Sequence, residues 1–320
     1  MEGGKVSLRY RGRTQAKGPL HNMAALYWKH RYLVFLFLPA VIYYAVFCYA
    51  PLYGVQIAFK NFIFRLGVMK SPWVGLDNFQ RLFSMGSFRQ VFMNTVIISS
   101  LKLFFGFPAP IIFALLLNEM RALRFKKAVQ TISYLPHFVS WVILGGLFIQ
   151  FLSPSTGPIN IVLKSIGFKP IYFLADKNWF RPVLVLTSIW KGIGWGSIIY
   201  LASLSGIDPG LYEAADIDGA GRFRKIISIT LPSLIPVITI MFIFSVGSIV
   251  KDDFDQIFNL YNPAVYSVGD VLGTYTYRVG LVDMQYSFST AVGLFTNVIS
   301  FVLIVITNWI TKRVNEYGLW

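Results

Sequence analysis

Long apolar runs alternate with short, mostly basic connections along this chain of 320 residues. A helix needs about 20 predominantly apolar residues to cross the hydrocarbon core of a bilayer. Six stretches reach that length, at about 32–52, 91–117, 128–152, 182–204, 231–250 and 289–311. The pattern predicts six membrane-spanning helices and an all-α fold. The first run is too long for a cleaved signal peptide, and no small-residue cleavage site follows it, so it is read as an uncleaved anchor. Residues 1–31 form an N-terminal arm, and 32–320 a single transmembrane domain. Three longer connections, about 53–90, 153–181 and 251–288, have the length to fold over a pore mouth. In the first, Ser71-Pro72-Trp73-Val74-Gly75-Leu76-Asp77-Asn78-Phe79 breaks the chain at Pro and Gly, with Asp77 or Asn78 as the cap of the next helix.

Composition supports the span reading. Hydrophobic residues make up 55% of the chain, charged residues 13%, and mean hydropathy is +0.59. Soluble globular chains carry about 25% charged residues. The 17% aromatic content excludes a disordered chain, and a single cysteine, Cys48, excludes a disulfide scaffold.

The net charge of +15 raises the question of nucleic acid. That function gathers Lys and Arg on one exposed face, whereas here they are spread over the connections. They report topology instead. Six spans put both termini on one side. That side holds the basic arm (Lys5, Arg9, Arg11, Arg13, Lys17, Lys29, Arg31) and three tight clusters. The clusters are Arg121-Arg124-Lys126-Lys127, Arg222-Arg224-Lys225 and Lys312-Arg313. Basic residues of the other side are fewer and lie in longer connections. The termini are therefore expected in the cytoplasm.

The connection between spans four and five, 208–230, has internal order. Asp208 before Pro209 is a helix start, with the acid as N-cap and Pro at the first helical position. Glu213-Ala214-Ala215 propagates the helix. Gly219 stands where a left-handed residue would end it, and a second short helix, about Arg222 to Thr230, leads to Pro232. An ordinary amphipathic connector could look similar. The fixed spacing of Glu213, Ala214, Ala215, Gly219, Ile229, Leu231 and Pro232, however, resembles the EAA motif of ABC importer permeases.

Other stretches resemble the carbohydrate-uptake branch of that family. They include Pro51 to Phe59, Ser71 to Leu76, Ala114 to Glu119 and Gln130 to Phe138. Within it they look most like permeases for oligosaccharides and polysaccharide fragments of the alginate and pectin type. The resemblance implies the type I importer permease fold, with 208–230 as a cytoplasmic coupling segment. Glu213, Ala214, Ala215, Asp218 and Gly219 would meet an ATPase. It implies a second homologous permease, two ATP-binding cassette ATPases that carry ATP and Mg, and an extracytoplasmic solute-binding protein.

The chain shows no catalytic constellation of its own. His21, His30 and His137 lack metal-ligand spacing, and no phosphate-binding Gly-x-x-x-x-Gly-Lys run occurs. His137, after Pro136, is read as a packing or cap residue. The glycines of Gly192-Ile193-Gly194-Trp195-Gly196 are read as close helix packing.

Charges inside the spans are the remaining signal. Lys102 and Lys191 lie about 14–16 Å into a core about 30 Å thick, near its middle. An ionisable residue there is costly and a functional candidate. Each is either a lysine that bonds backbone or snorkels, or part of a hydrated path. No Asp or Glu falls within the predicted spans. Ser188, Lys191 and Trp195 share a helical face, as do Ser99, Lys102 and Gly106, and Asn297 with Ser300 makes a polar pair in span six. Hydroxyls, amides and a flat indole suit a sugar. The run Lys251-Asp252-Asp253-Phe254-Asp255-Gln256 either lines the outer mouth or is a solvated helix end.

The reading is the transmembrane subunit of an ABC sugar importer, embedded in membrane lipid. A permease of the same class for a non-sugar solute is the nearest alternative. A secondary transporter would show internal repeats, and a membrane-anchored assembly protein would not need midplane lysines.

Overall fold

The computed structural model describes residues 28–251, 253–315 and 318. The basic arm up to residue 27, with His21, and Asp252 lie outside the described residues. Among the described residues the secondary structure is helical, apart from one isolated antiparallel bridge between Lys60 and Trp73. Two compact units make up the chain, residues 1–55 and 56–320.

The first unit carries most of helix α1 (Arg31–Phe59), which runs on into the start of the second. It is α-helical over Arg31–Tyr43, widens to a π-turn over Tyr44–Tyr49 and tightens to 3-10 geometry over Ala50–Phe59. No residue of Arg31–Tyr49 is buried. A helix apolar on all sides with its side chains exposed is made to be surrounded by lipid or protein.

The second unit holds the remaining spans. Helix α2 covers Gly86–Asn118. Helices α3 (Leu123–Phe138) and α4 (Trp141–Phe151) follow, then α5 (Lys177–Leu204) and the short α6 (Pro209–Ile217). Helix α7 covers Arg222–Gly247, α8 Phe254–Leu260 and α9 Tyr286–Asn315. Helix α5 is central and packs on α2, α3 and α7, while α7 also packs on α9.

Three π-turns end two residues before a proline: Tyr44–Tyr49 before Pro51, Lys102–Gly106 before Pro108, and Ile226–Thr230 before Pro232. Proline donates no N–H and its ring crowds the carbonyl four residues earlier. A locally wider turn absorbs both effects, so these helices pass through their prolines.

The third predicted span needs correction. It is two helices, α3 and α4, bent by 103° at residues 139–140. Val139 is extended, with φ −83° and ψ 131°, and Ser140 starts α4 as its N-cap, its hydroxyl accepting from the Ile143 N–H at 3.4 Å. Apolar continuity runs straight across this break, which is why hydropathy alone joins the pieces.

Other boundaries move for local reasons. Helix α5 begins before Pro182 because Asp176 caps it, Oδ1 accepting from the Asn178 N–H at 2.7 Å. The expected second helix of the 208–230 connection is the first part of α7. Neither Asp77 nor Asn78 caps the helix Asp77–Ser84, whose N-cap is Leu76. Asn78 Nδ2 instead donates to the carbonyls of Ala58 and Lys60, at 2.9 and 3.1 Å.

Between α8 and α9 an ionic anchor holds the connection. Asp270 accepts from Thr274 Oγ1 at 2.8 Å and pairs with Arg278. Its hydrogen bond raises the Arg278 pKa above the ordinary value. On the span side, Arg181 donates to Asn94 Oδ1 at 2.8 Å and to the Val268 carbonyl at 3.1 Å.

Candidate functional site

The motif segment forms a helix–turn–helix. Asp208 Oδ1 accepts from the Gly210 N–H at 2.9 Å and starts α6. Gly219 ends it at φ +72°. The Ala220 N–H reaches the Ala215 carbonyl at 2.9 Å and the Gly219 N–H reaches Asp216 at 3.1 Å, which satisfies carbonyls that a helix end leaves open. Asp216 pairs with Lys225 at the start of α7. The Tyr212 hydroxyl is 2.9 Å from Thr230 Oγ1, fastening α6 to α7 at a second point. Glu213, Ala214, Asp218 and Gly219 are exposed and Ala215 half-buried, beside Ile217 at 88% exposure. An exposed isoleucine among exposed acids is a surface suited to contact, on a helix held rigidly to a span.

A cavity of about 360 Å³ opens among α2, α5, α7 and the residues after α7. Ligand pockets run from about 300 to 1,000 Å³. Its polar wall carries Ser99, Lys102, Ser188, Tyr200, Ser245, Ser248, Lys251 and Asp253. The hydroxyls of Ser245 and Ser248 donate to backbone carbonyls, of Met241 and Ser245, each at 2.8 Å. That leaves their oxygens as acceptors. Gly106, Gly192 and Gly196 line the same space. A Cβ added at Gly192 would meet nothing within 4 Å.

Lys102, on the π-turn of α2, lines this cavity and donates to Gln256 Oε1. Asp253 Oδ2 lies 3.8 Å from the same ammonium. An acid outside the predicted spans thus reaches Lys102 from the connection after α7. The 251–256 run had marked this region, and Lys251 and Asp253 do line the cavity. Gln256 was missed as a site residue. Its visible signals are its place at the end of that run and three residues beyond Asp253, on one face of a short helix.

The structure does not bring every predicted residue to the cavity. Ser188 joins Lys102 there, but Lys191 and Trp195 are not among the lining residues. Lys191 donates to the Val139 carbonyl at 2.6 Å and sits 4.7 Å over the Trp141 ring. It fastens α5 to the break between α3 and α4. Trp195 stacks on His137, with centroids 4.5 Å apart and planes within 2°. In span six, Asn297 is exposed and Ser300 buried, its hydroxyl without a hydrogen-bond partner. Neither lines the cavity.

Comparison with known proteins agrees with the motif. The model of the binding-protein-dependent transport system inner membrane component family matches residues 106–316. Protein LplB of Bacillus subtilis is 44% identical over 96% of both chains. The polygalacturonan/rhamnogalacturonan transport system permease protein YteP of the same organism is 41% identical over 91% of both. A bacterial ABC transporter involved in the import of the acidic polysaccharide alginate has a solved chain that is 41% identical. It superposes with a TM-score of 0.85, over 92% of this chain and 99% of that one. A related solved assembly, at TM-score 0.84 and 41% identity, is in complex with alginate pentasaccharide-bound periplasmic protein and covers 92% and 98% of the two chains. With its EAA helix exposed beside the fifth span and its likeness running almost end to end, this chain belongs to the binding-protein-dependent transport system inner membrane component family, as an ABC importer permease.

Proposed function

We propose that this chain is one of two homologous permease subunits of an ATP-driven importer, and that its cargo is an oligosaccharide or polysaccharide fragment, acidic in character. The observation that carries the reading is the 41% identity, over 92% of the chain, to a transporter whose cargo is an acidic polysaccharide. An extracytoplasmic binding protein delivers the sugar. Two ATPase subunits bind ATP and Mg and hydrolyse the nucleotide. Helix α6, with Glu213, Ala214, Ala215, Asp218 and Gly219, passes their closure to the spans. Its two ties to α7 support that role, because a lever must be stiff where it joins what it moves.

The substrate path runs through the cavity beside Lys102 and Ser188. Serine hydroxyls and the tyrosine on its wall match the hydrogen-bonding edges of sugars. Lys191, Trp195, Asn297 and Ser300 contribute to the path only if the spans rearrange during the cycle. The test is Gly192→Leu. Its side chain would enter cavity space rather than a neighbouring helix, and leucine is favoured over glycine in a helix by about 0.8 kcal/mol. The variant complex is expected to assemble with its ATPase as wild type does and to lose uptake. Assembly with full uptake would place the path elsewhere.

A further inference from the structure

Gln256 is fully buried on α8 and joins three elements. Its amide nitrogen donates to the Leu184 carbonyl at 2.7 Å and to Thr187 Oγ1 at 2.8 Å, both on α5. Its oxygen accepts from Lys102 on α2. The ammonium therefore has a fixed neutral anchor.

Asp253 is held differently. At 3.8 Å from Lys102 Nζ its carboxylate lies beyond the 2.7–2.9 Å of a charge-assisted hydrogen bond. It stands at the N-cap of α8 yet makes no capping bond, and it lines the cavity instead. Its side chain is 38% exposed against 17% for Lys102. The anion is the looser and more open partner. Among the described lining residues the charged ones are Lys102, Lys251 and Asp253.

We propose that Asp253 is a resident counterion which a substrate carboxylate replaces on Lys102, with Gln256 as positioning residue for the ammonium. The exchange selects uronate-bearing oligosaccharides over neutral ones. An incoming carboxylate restores the charge pairing that Asp253 gives up. A neutral sugar offers only hydroxyls, so Lys102 and Asp253 stay associated and narrow the passage. This inference rests on the reading that sugar passes through this cavity.

The experiment uses proteoliposomes of the complete complex and two probes, trigalacturonate and its carboxyl-reduced counterpart, equal in length and without charge. Lys102→Met is expected to lower the acidic-to-neutral uptake ratio roughly tenfold, as for loss of one hydrogen bond to a charged group. Asp253→Asn is expected to raise the ratio at sub-saturating sugar. Gln256→Leu is expected to raise the half-saturating concentration of the acid more than it lowers the maximal rate, which a merely structural role would not do. If Lys102→Met does not assemble, Lys102→Met with Asp253→Asn removes the pair together and carries the same expectation. A ratio unmoved by both the Lys102 and Asp253 variants overturns the exchange, as does a wild-type complex that carries only the neutral probe. Uptake undisturbed by Gly192→Leu overturns the path reading instead, and uptake of neither probe by a complex with active ATPase overturns the acidic-fragment cargo.

Discussion

Lys191 and Lys102 sit on adjacent helices, yet their ammonium groups do different work. Lys191 satisfies the Val139 carbonyl where the chain turns from α3 into α4, at 2.6 Å. Lys191→Met would leave that carbonyl without its partner inside the protein, at a cost of about 1–3 kcal/mol. The expected outcome is a lower unfolding midpoint of the purified complex, with the acidic-to-neutral uptake ratio moved far less than by Lys102→Met. A midpoint equal to wild type would show that another donor serves the carbonyl. Residue spacing made legible the shared face of Ser99, Lys102 and Gly106, which all line the cavity, but it also grouped Lys191 and Trp195 with Ser188, and of these only Ser188 lines it. The partners of the two lysines were not legible, since Val139 lies 52 residues from Lys191 and Gln256 lies 154 from Lys102. No local periodicity records a contact across that distance.

At the scale of elements, two glycines in helical surroundings make opposite demands. Gly219 ends α6 at φ +72°, where a β-branched residue is strained by about 1–3 kcal/mol. Gly219→Val is expected to tilt or fray α6. Copurification with the ATPase should weaken, or ATP hydrolysis should run without uptake. Normal values of both would remove α6 from the coupling role. Gly194 meets a different limit, because a Cβ there would strike the backbone carbonyl of Ser133 on α3. Backbone cannot yield as a side-chain tip does, and overpacking of this kind costs typically 1–3 kcal/mol. Gly194→Ala is expected to lower the yield of folded complex, whereas Gly192→Ala, which faces open space, leaves it unchanged. Equal yields would mean that α3 and α5 part easily. The motif helix was readable in advance from Asp208, Pro209 and Gly219, because caps and turns are local chemistry. The bend at 139–140 was hidden because apolar residues continue through it and its stabilising donor comes from α5.

At the scale of the whole molecule, side placement follows from the number of crossings and the location of the basic clusters. Five described helices are long and apolar enough to cross, and six crossings result if the bent α3–α4 pair forms one. On that count the helix Pro158–Ser165, between α4 and α5, lies on the side opposite α6 and the start of α7. Arg222, Arg224 and Lys225 lead us to expect the latter in the cytoplasm, since basic residues near span ends resist transfer. Ser165 and Ser228 are both exposed, which makes them fair reporters of the two faces. Cys48, the single native cysteine, is exposed and must first become serine. In that background Ser165→Cys is expected to react with a membrane-impermeant maleimide on intact cells. Ser228→Cys should react only after permeabilisation. The reverse pattern would invert the orientation and put α6 where no ATPase could reach it. Labelling of both sites in intact cells would mean that α5, the one span between them, does not complete a crossing.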